Sequence, residues 1–260
     1  MIDGRAGIVT GASRGLGRAT ALTLAARGAQ VIACARDEEA LAQTARLADG
    51  LPGRVLAQRC DVTDEDEVAA AVRRAGSELG PLRFIVANAG HQVERRLHET
   101  SNEDWAAVEA VNARGVFWCA KHAIEAMLDH GLGGSIVVVA SAVSLTADPN
   151  LAAYTASKHA ALGIVRTIAA DRGYAAAGIR ANAVCPGDIE TPMVRRYLDS
   201  HDDPELARRE IERAYPMQRI SAPEEVAAVT AFLVSDDASF MTGAPIPVDG
   251  GILSTLYTNG

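Results

Sequence analysis

Short runs of apolar residues recur along the chain at 6–10, 30–35, 55–60, 84–87, 135–140, 180–184 and 245–248. Each is long enough for a strand and too short for a buried helix. Between them the apolar positions change period. Val68, Val72, Ala75 and Leu79 fall on one helical face, as do Leu41, Ala45 and Ala48, and Val226, Val229 and Leu233. Thr63 precedes an acidic first turn, Asp64-Glu65-Asp66, and Ser221-x-x-Glu224 with Pro223 reads as a capping box at a helix start. Strand and helix alternate almost to the end, which predicts a single α/β domain with a doubly wound parallel sheet, the Rossmann type of fold, over residues 1–260. Alternation stalls once, at about 187–222, where helical pieces interrupted by Pro192, Pro204 and Pro216 stand in for a short connection. An excursion of this length in a compact fold is expected to serve substrate and to close over it.

Composition narrows the partners. Hydrophobic residues make up 48% of the 260, enough for a large core, and aromatics only 4%, which suits tight helix-on-sheet packing. A net charge of −8 excludes a nucleic-acid footprint and attraction to anionic lipid, and no apolar run is long enough to span a bilayer. Cys34, Cys60, Cys119 and Cys185 have no metal-ligand spacing, nor do the six histidines, so buried reduced thiols, no metal and a cytoplasmic setting are expected.

Two local patterns carry chemistry. Thr10-Gly11-Ala12-Ser13-Arg14-Gly15-Leu16-Gly17 lies between the first strand and an Ala/Leu-rich helix. Its glycines permit a tight turn and close approach to a pyrophosphate, and the helix start offers free N–H groups to the anion. The spacing is neither G-x-G-x-x-G nor that of a triphosphatase loop. The second pattern is Tyr154-Thr-Ala-Ser-Lys158, a phenol and an amine on one helical face, with Ser141 just past a strand and Asn112 in an earlier helix.

With these residues in order, the chain resembles the short-chain dehydrogenase/reductase family, 3-oxoacyl reductase-like members among them, over essentially its whole length. The matching pieces are the glycine loop, Asp61-Val62, Asn88-Ala89-Gly90, Asn112, Ser141, Tyr154-x-x-x-Lys158, Pro186-Gly187-x-Ile189-x-Thr191 and Val248-Asp249-Gly250-Gly251. The resemblance implies hydride transfer between NAD(P) and a secondary alcohol or ketone of small size, by a tetrad of Asn112, Ser141, Tyr154 and Lys158. In it Tyr154 is the general acid/base, Ser141 holds the substrate oxygen, Lys158 also reaches the nicotinamide ribose, and Asn112 holds a relay water through its backbone. An ammonium about 4–5 Å from the phenol favours the phenolate by about 3–4 kcal/mol, which predicts a Tyr154 pKa well below the ordinary value near 10.

The resemblance also assigns cofactor contacts to Gly11, Ser13, Arg14, Gly15, Leu16, Gly17, Asp61, Val62, Asn88, Ala89, Gly90, Tyr154, Lys158, Pro186, Gly187, Ile189 and Thr191. Arg36 joins them, because the second strand ends Ala35-Arg36 without the acid that would repel a 2′-phosphate, and Arg14 is a second guanidinium. NADP(H) is therefore expected in preference to NAD(H), with Asp37 taken up as a helix N-cap. Asp188 puts a carboxylate at the nicotinamide end. Arg95, Arg96, Arg195, Arg196, Arg208 and Arg209 raise the alternative of a 3-oxoacyl or polyketide reductase with a basic docking patch, interrupted by Asp188, Glu190, Asp202 and Asp203. A cofactor-sensing protein without catalysis is the other alternative, and the intact Ser/Tyr/Lys set argues against it. A homotetramer is expected from the family and from the apolar residues between 105 and 127, the helix after Tyr154, and residues 253–257.

Overall fold

The computed structural model describes residues 2–255. Seven strands, β1 (Ala6–Thr10), β2 (Gln30–Ala35), β3 (Arg54–Arg59), β4 (Leu82–Ala87), β5 (Gly134–Val139), β6 (Ile179–Pro186) and β7 (Pro245–Val248), form one sheet in the order β3-β2-β1-β4-β5-β6-β7. Every pairing is parallel. The central strands are buried along nearly their whole length because helices cover both faces. The edges differ for physical reasons. In β3, polar Arg54, Gln58 and Arg59 interrupt the apolar run, while β7 carries Pro245 and Pro247, which a central strand could not accommodate.

Ten helices are described: α1 (Gly15–Ala26), α2 (Glu38–Leu47), α3 (Glu65–Glu78), α4 (Asn102–Glu109), α5 (Gly115–His130), α6 (Ala152–Ala170), α7 (Arg172–Ala176), α8 (Pro192–Asp199), α9 (Pro204–Ala214) and α10 (Pro223–Val234). Alternation along each strand feeds two cores. Ile8, Ile32 and Ile85 pack with α3, α5 and α6, whereas Val9, Val31 and Phe84 pack with α1 and α10 on the other face. Cys34, Cys60, Cys119 and Cys185 are free and buried, as the sequence predicts, and burial pushes the Cys119 thiol up to about 12.

Three helix starts refine the sequence reading. Asp37 caps α2, accepting from Ala40 N at 3.0 Å. Asp64, rather than Thr63, caps α3 by accepting from the N–H groups of Asp66 and Glu67, because Thr63 is engaged by Asp61. The predicted Ser221/Glu224 box is displaced by one residue: Ala222 N donates to Glu225 Oε2 at 2.8 Å, and the Ser221 hydroxyl is drawn instead to Asp188 O. Within 187–222, Pro192 and Pro204 open α8 and α9 rather than breaking them, since proline suits the first helical turn. Val194, Leu198, Ala207 and Ile220 give this segment a small core of its own.

Sheet and helix packing leave no room at Gly7 in β1. A Cβ there would lie 2.3 Å from the ring of Phe84, which is wholly buried. Gly7→Ala should therefore destabilise the protein by about 1–3 kcal/mol through overpacking. Urea unfolding with an unchanged midpoint would contradict this.

Candidate active site

The motifs that carry the family resemblance, with Arg36 and Asp37, sit on or beside the loops at the C-terminal ends of the seven strands, or on the helices that follow them. In an open parallel sheet this is where ligands bind, at the point where strand order reverses. Here the reversal falls between β1 and its neighbour β4. The Thr10 hydroxyl ties the two strands together: it accepts from Asn88 N and Ala89 N at 3.0 Å each, while Asn88 Nδ2 donates to Thr10 O at 2.8 Å. A Cβ on Gly11 would lie 2.9 Å from Ala89 Cα, and one on Gly17 would lie 2.2 Å from Gly11 O. The glycine loop thus lies directly against Asn88-Ala89. Thr191 covers its other side, 3.3 Å from where a Gly15 Cβ would be.

The first turn of α1 has no side-chain cap, although Ser13 and Arg14 precede it. Its N–H groups, the helix dipole and the exposed Arg14 guanidinium suit a pyrophosphate. Arg18 pins the loop to α2 through Ser13 O, Ala40 O and the Gln43 and Thr44 side chains. At the far end of β2, Arg36 is 73% exposed and its Nη1 lies 3.8 Å from Asp61 Oδ2. Asp61 also accepts from Thr63 N and Oγ1, and these bonds together with Arg36 and Arg59 hold its carboxyl below the usual range despite burial. Val62 is buried against Gly115. These residues fit a dinucleotide laid from the Arg36 side, across the glycine loop, toward β5 and β6.

At that end the tetrad residues converge. Ser141, past β5, caps a short 3-10 turn and lies near enough to the Tyr154 phenol to lower its pKa. Lys158, one turn along α6, is 3% exposed; its Nζ donates to Val139 O at 2.8 Å and lies 5.5 Å from the Tyr154 ring centroid. Val139 O is its one acceptor among the described residues, so a buried ammonium keeps donors for a further partner. Asn112 lies in a π-helical segment, Ala110–Arg114, between α4 and α5. Its Nδ2 donates to His91 O at 2.8 Å and to Ser157 Oγ at 3.0 Å, and its Oδ1 accepts from His91 N at 2.8 Å. Gly90 is near both: a Cβ there would lie 3.7 Å from Asn112 Oδ1 and 3.8 Å from Lys158 Nζ. Pro186 is buried beside β7, and Gly187 N donates to Val248 O. Ile189 bridges to Ser221 and packs partly on the core.

The electrostatics correct one expectation. Burial pushes Tyr154 up to about 12, further than nearby Ser141 lowers it, with the Asp188 charge adding to the rise. Burial also brings Lys158 down to about 8. Desolvation, which disfavours both charged forms, outweighs the attraction between them. Near neutral pH the resting pair is a phenol beside an ammonium.

Sequence reasoning missed four participants. Thr10 stands just ahead of the glycine loop. Ser157 lies inside the Tyr/Lys motif, three residues past Tyr154, where its hydroxyl donates to Tyr154 O at 2.7 Å. Asp148 lies in the loop before α6, and Tyr215 meets Asp188 from 27 residues away. Three of the six arginines weighed as a basic patch are engaged, Arg208 with Glu190 at 2.9 and 3.0 Å, Arg195 with Glu190 at 3.6 Å and Arg95 with Asp104 at 3.9 Å, while Arg96, Arg196 and Arg209 are exposed. Among the described residues no His/Cys/Asp/Glu group could hold a metal, and no helix is long and apolar enough to cross a membrane.

Comparison with known proteins agrees with this architecture. Residues 11–253 match the family model described as enoyl-(acyl carrier protein) reductase. The chain is 38% identical to the 3-oxoacyl-(acyl-carrier-protein) reductase of Thermotoga maritima over 252 residues, 97% of this chain and 99% of that protein. It is 37% identical to the glucose 1-dehydrogenase of Gluconobacter oxydans, over 98% and 93% of the two chains. Among solved structures, levodione reductase superposes with a TM-score of 0.93 at 33% identity, covering 99% of this chain and all of the other. The fold, the full-length match and the glycine loop at the β1/β4 crevice together make the chain a member of the short-chain dehydrogenase/reductase family.

Proposed function

We propose that the protein is an NADP(H)-preferring oxidoreductase that interconverts a secondary alcohol and a ketone of small size, with Tyr154 as the proton-transfer group. The observation that carries this reading is the Lys158 ammonium, buried and 5.5 Å from the Tyr154 ring centroid, with Ser141 near the same phenol. The bound nicotinamide supplies or accepts the hydride. In reduction Tyr154 donates its proton to the oxygen on which charge develops, and Ser141 donates a hydrogen bond to the same oxygen. The Lys158 ammonium stabilises the phenolate left behind, and its spare donors hold the ribose. In the reverse direction Tyr154 takes the proton from the alcohol. Asn112 keeps the 90–91 turn and Ser157 in register with α6, which maintains the distance from Gly90 to Lys158. Residues 187–222 wall the substrate side and are drawn over it when cofactor and substrate are in place.

Support for NADP(H) comes from the exposed Arg36 and Arg14 guanidiniums and from Ala35 at the end of β2. Asp37 is occupied as the α2 cap, so its carboxylate is committed to backbone donors rather than to a ribose. Assembly as a cytoplasmic homotetramer is supported by Trp105 and Phe117, which are 47% and 49% exposed on neighbouring helices, and by the small exposed face of Ala156, Ala160 and Gly163 on α6. Val108, Val116 and Met127 serve the internal core instead. Leu256 and Tyr257, which the sequence reading included in this surface, lie outside the described residues.

Three outcomes follow. Tyr154→Phe should lose about 10²–10⁴-fold in turnover with cofactor affinity kept, and wild-type reduction should slow as pH rises through about 8, where Lys158 gives up its charge. Near-wild-type turnover of the variant, or a rate flat from pH 7 to 9, would count against the assignment. The ratio of kcat/KM for NADPH over NADH should exceed one and fall in the Ala35→Asp, Arg36→Ala double variant; a ratio below one reverses the cofactor preference. Light scattering at micromolar concentration should give four times the chain mass, and a monomer would reject the assembly.

A further inference from the structure

Asp188 is the second residue beyond β6, beside the strand that leads to Ser141. Val139 pairs with Val184, and Ala140 N donates to Val184 O at 2.8 Å, so the chains leaving β5 and β6 emerge side by side. Asp188 is half-buried and held from three directions. The Tyr215 hydroxyl donates to Oδ2 at 2.8 Å and accepts from Asp188 N at 2.7 Å. Asp188 O accepts from Ser221 N at 3.1 Å and Ser221 Oγ at 3.0 Å. The Tyr215 side chain is itself wedged between glycines: a Cβ on Gly187 would lie 2.8 Å from its ring, and one on Gly250 3.1 Å. One carboxylate oxygen is thus spent, and the other, Oδ1, has no hydrogen-bond partner among the described residues. That oxygen is open to an outside donor, which would bind it in place of water.

The surroundings do not supply a cation. Burial and the Asp148 charge both raise the Asp188 carboxyl, and only the Tyr215 hydrogen bond opposes them. Tyr197, on α8, is raised by burial and by the charges of Glu94, Asp188, Asp148 and Glu210, so the same negative field reaches across to the 187–222 segment. The Asp188 charge also raises the Tyr154 phenol. Arg195 and Arg208 are turned to Glu190, and Arg95 to Asp104.

We propose that Asp188 is a specificity-determining residue, whose open carboxylate oxygen accepts a hydrogen bond from a hydroxyl or ammonium group near the reacting carbon of the substrate and whose charge turns away anionic substrates. The inference rests on the reading of the Tyr154 site as the place where the alcohol or ketone binds. Once substrate excludes water from the acceptor, analogues that lack the donor are disfavoured, because the acceptor is then left unpaired. Negative charge near the reacting carbon adds repulsion.

The test is calorimetric binding to the NADP⁺-loaded protein of four alcohols with one carbon skeleton: a plain secondary alcohol, its vicinal diol, its vicinal amino alcohol and its hydroxy acid. The wild type should bind the diol or the amino alcohol about tenfold or more tightly than the plain alcohol, with the hydroxy acid weakest. A preference for the amino alcohol identifies an ammonium donor, and a preference for the diol a hydroxyl. Asp188→Asn, which keeps an acceptor for Tyr215, should lower affinity for the preferred ligand and raise that for the hydroxy acid about tenfold. Equal binding of all four, tightest binding of the hydroxy acid, no binding of any, or a ranking unchanged in Asp188→Asn would overturn the proposal. The wild-type ranking decides the matter even where the variant fails to fold. Turnover in Tyr154→Phe separates the two ideas. Unimpaired turnover with the donor preference intact defeats the proton-transfer role alone, and Tyr154-dependent turnover with no donor preference defeats the role of Asp188 alone.

Discussion

The site depends on the tie between the ends of β1 and β4. A parallel sheet has to part its outgoing loops where strand order reverses, and here a single hydroxyl bridges the gap. Thr10 Oγ1 accepts from two backbone N–H groups of the β4 loop, while the Asn88 side chain returns a bond to Thr10 O. Both loops are then fixed against each other so closely that Gly11 and Gly17 cannot carry a side chain. The cost of ordering two loops is met by hydrogen bonds that are largely out of water, where an unmade bond would be expensive. From this junction the uncapped start of α1 faces one way, and the 88–91 turn continues the other way to Asn112.

The far end of the site is governed by desolvation. Lys158 is buried with a single acceptor among the described residues, and Tyr154 is pushed in the opposite direction along the pH scale by the same exclusion of water. Coulomb attraction alone would have lowered the Tyr154 pKa toward neutral pH. Burial reverses that, because a charge taken from water loses more than a neighbour several ångströms away returns. The resting site is therefore poised to donate a proton, and an added partner for the ammonium would strengthen its hold on the phenolate. Asn112 and Ser157 form a continuous hydrogen-bonded path from the 90–91 turn to the first turn of α6, so the positions of Gly90, Tyr154 and Lys158 are set together.

The substrate side is organised differently. It is not built on a strand end alone but on a segment with its own small core, fastened to the sheet by Tyr215, Asp188 and Ser221. Arg195 and Arg208 are held by Glu190 and Arg219 by Glu225, while Arg196, Arg209 and Arg213 stay on the exposed surface. The segment also carries a half-buried carboxylate, Asp188, on the loop that leaves β6 next to β5.

What the sequence by itself determined is the part that depends on local spacing. Apolar runs of strand length place all seven strands to within two residues, since burial on both faces demands continuous hydrophobicity. The glycine loop is legible because only glycine tolerates its turn, and Tyr154 with Lys158 because four residues is one helical turn. The Asp37 cap was legible for the same reason. Tertiary structure alone decided the rest. Tyr215 meets Asp188 across 27 residues, and Asn112 meets Ser157 across 45, at distances in sequence where no periodicity survives. The phenol's protonation state, the pairing of the arginines and the shift of the α10 cap to Ala222 turn on burial and on competing partners. Those are properties of the packed interior, which a linear pattern does not carry.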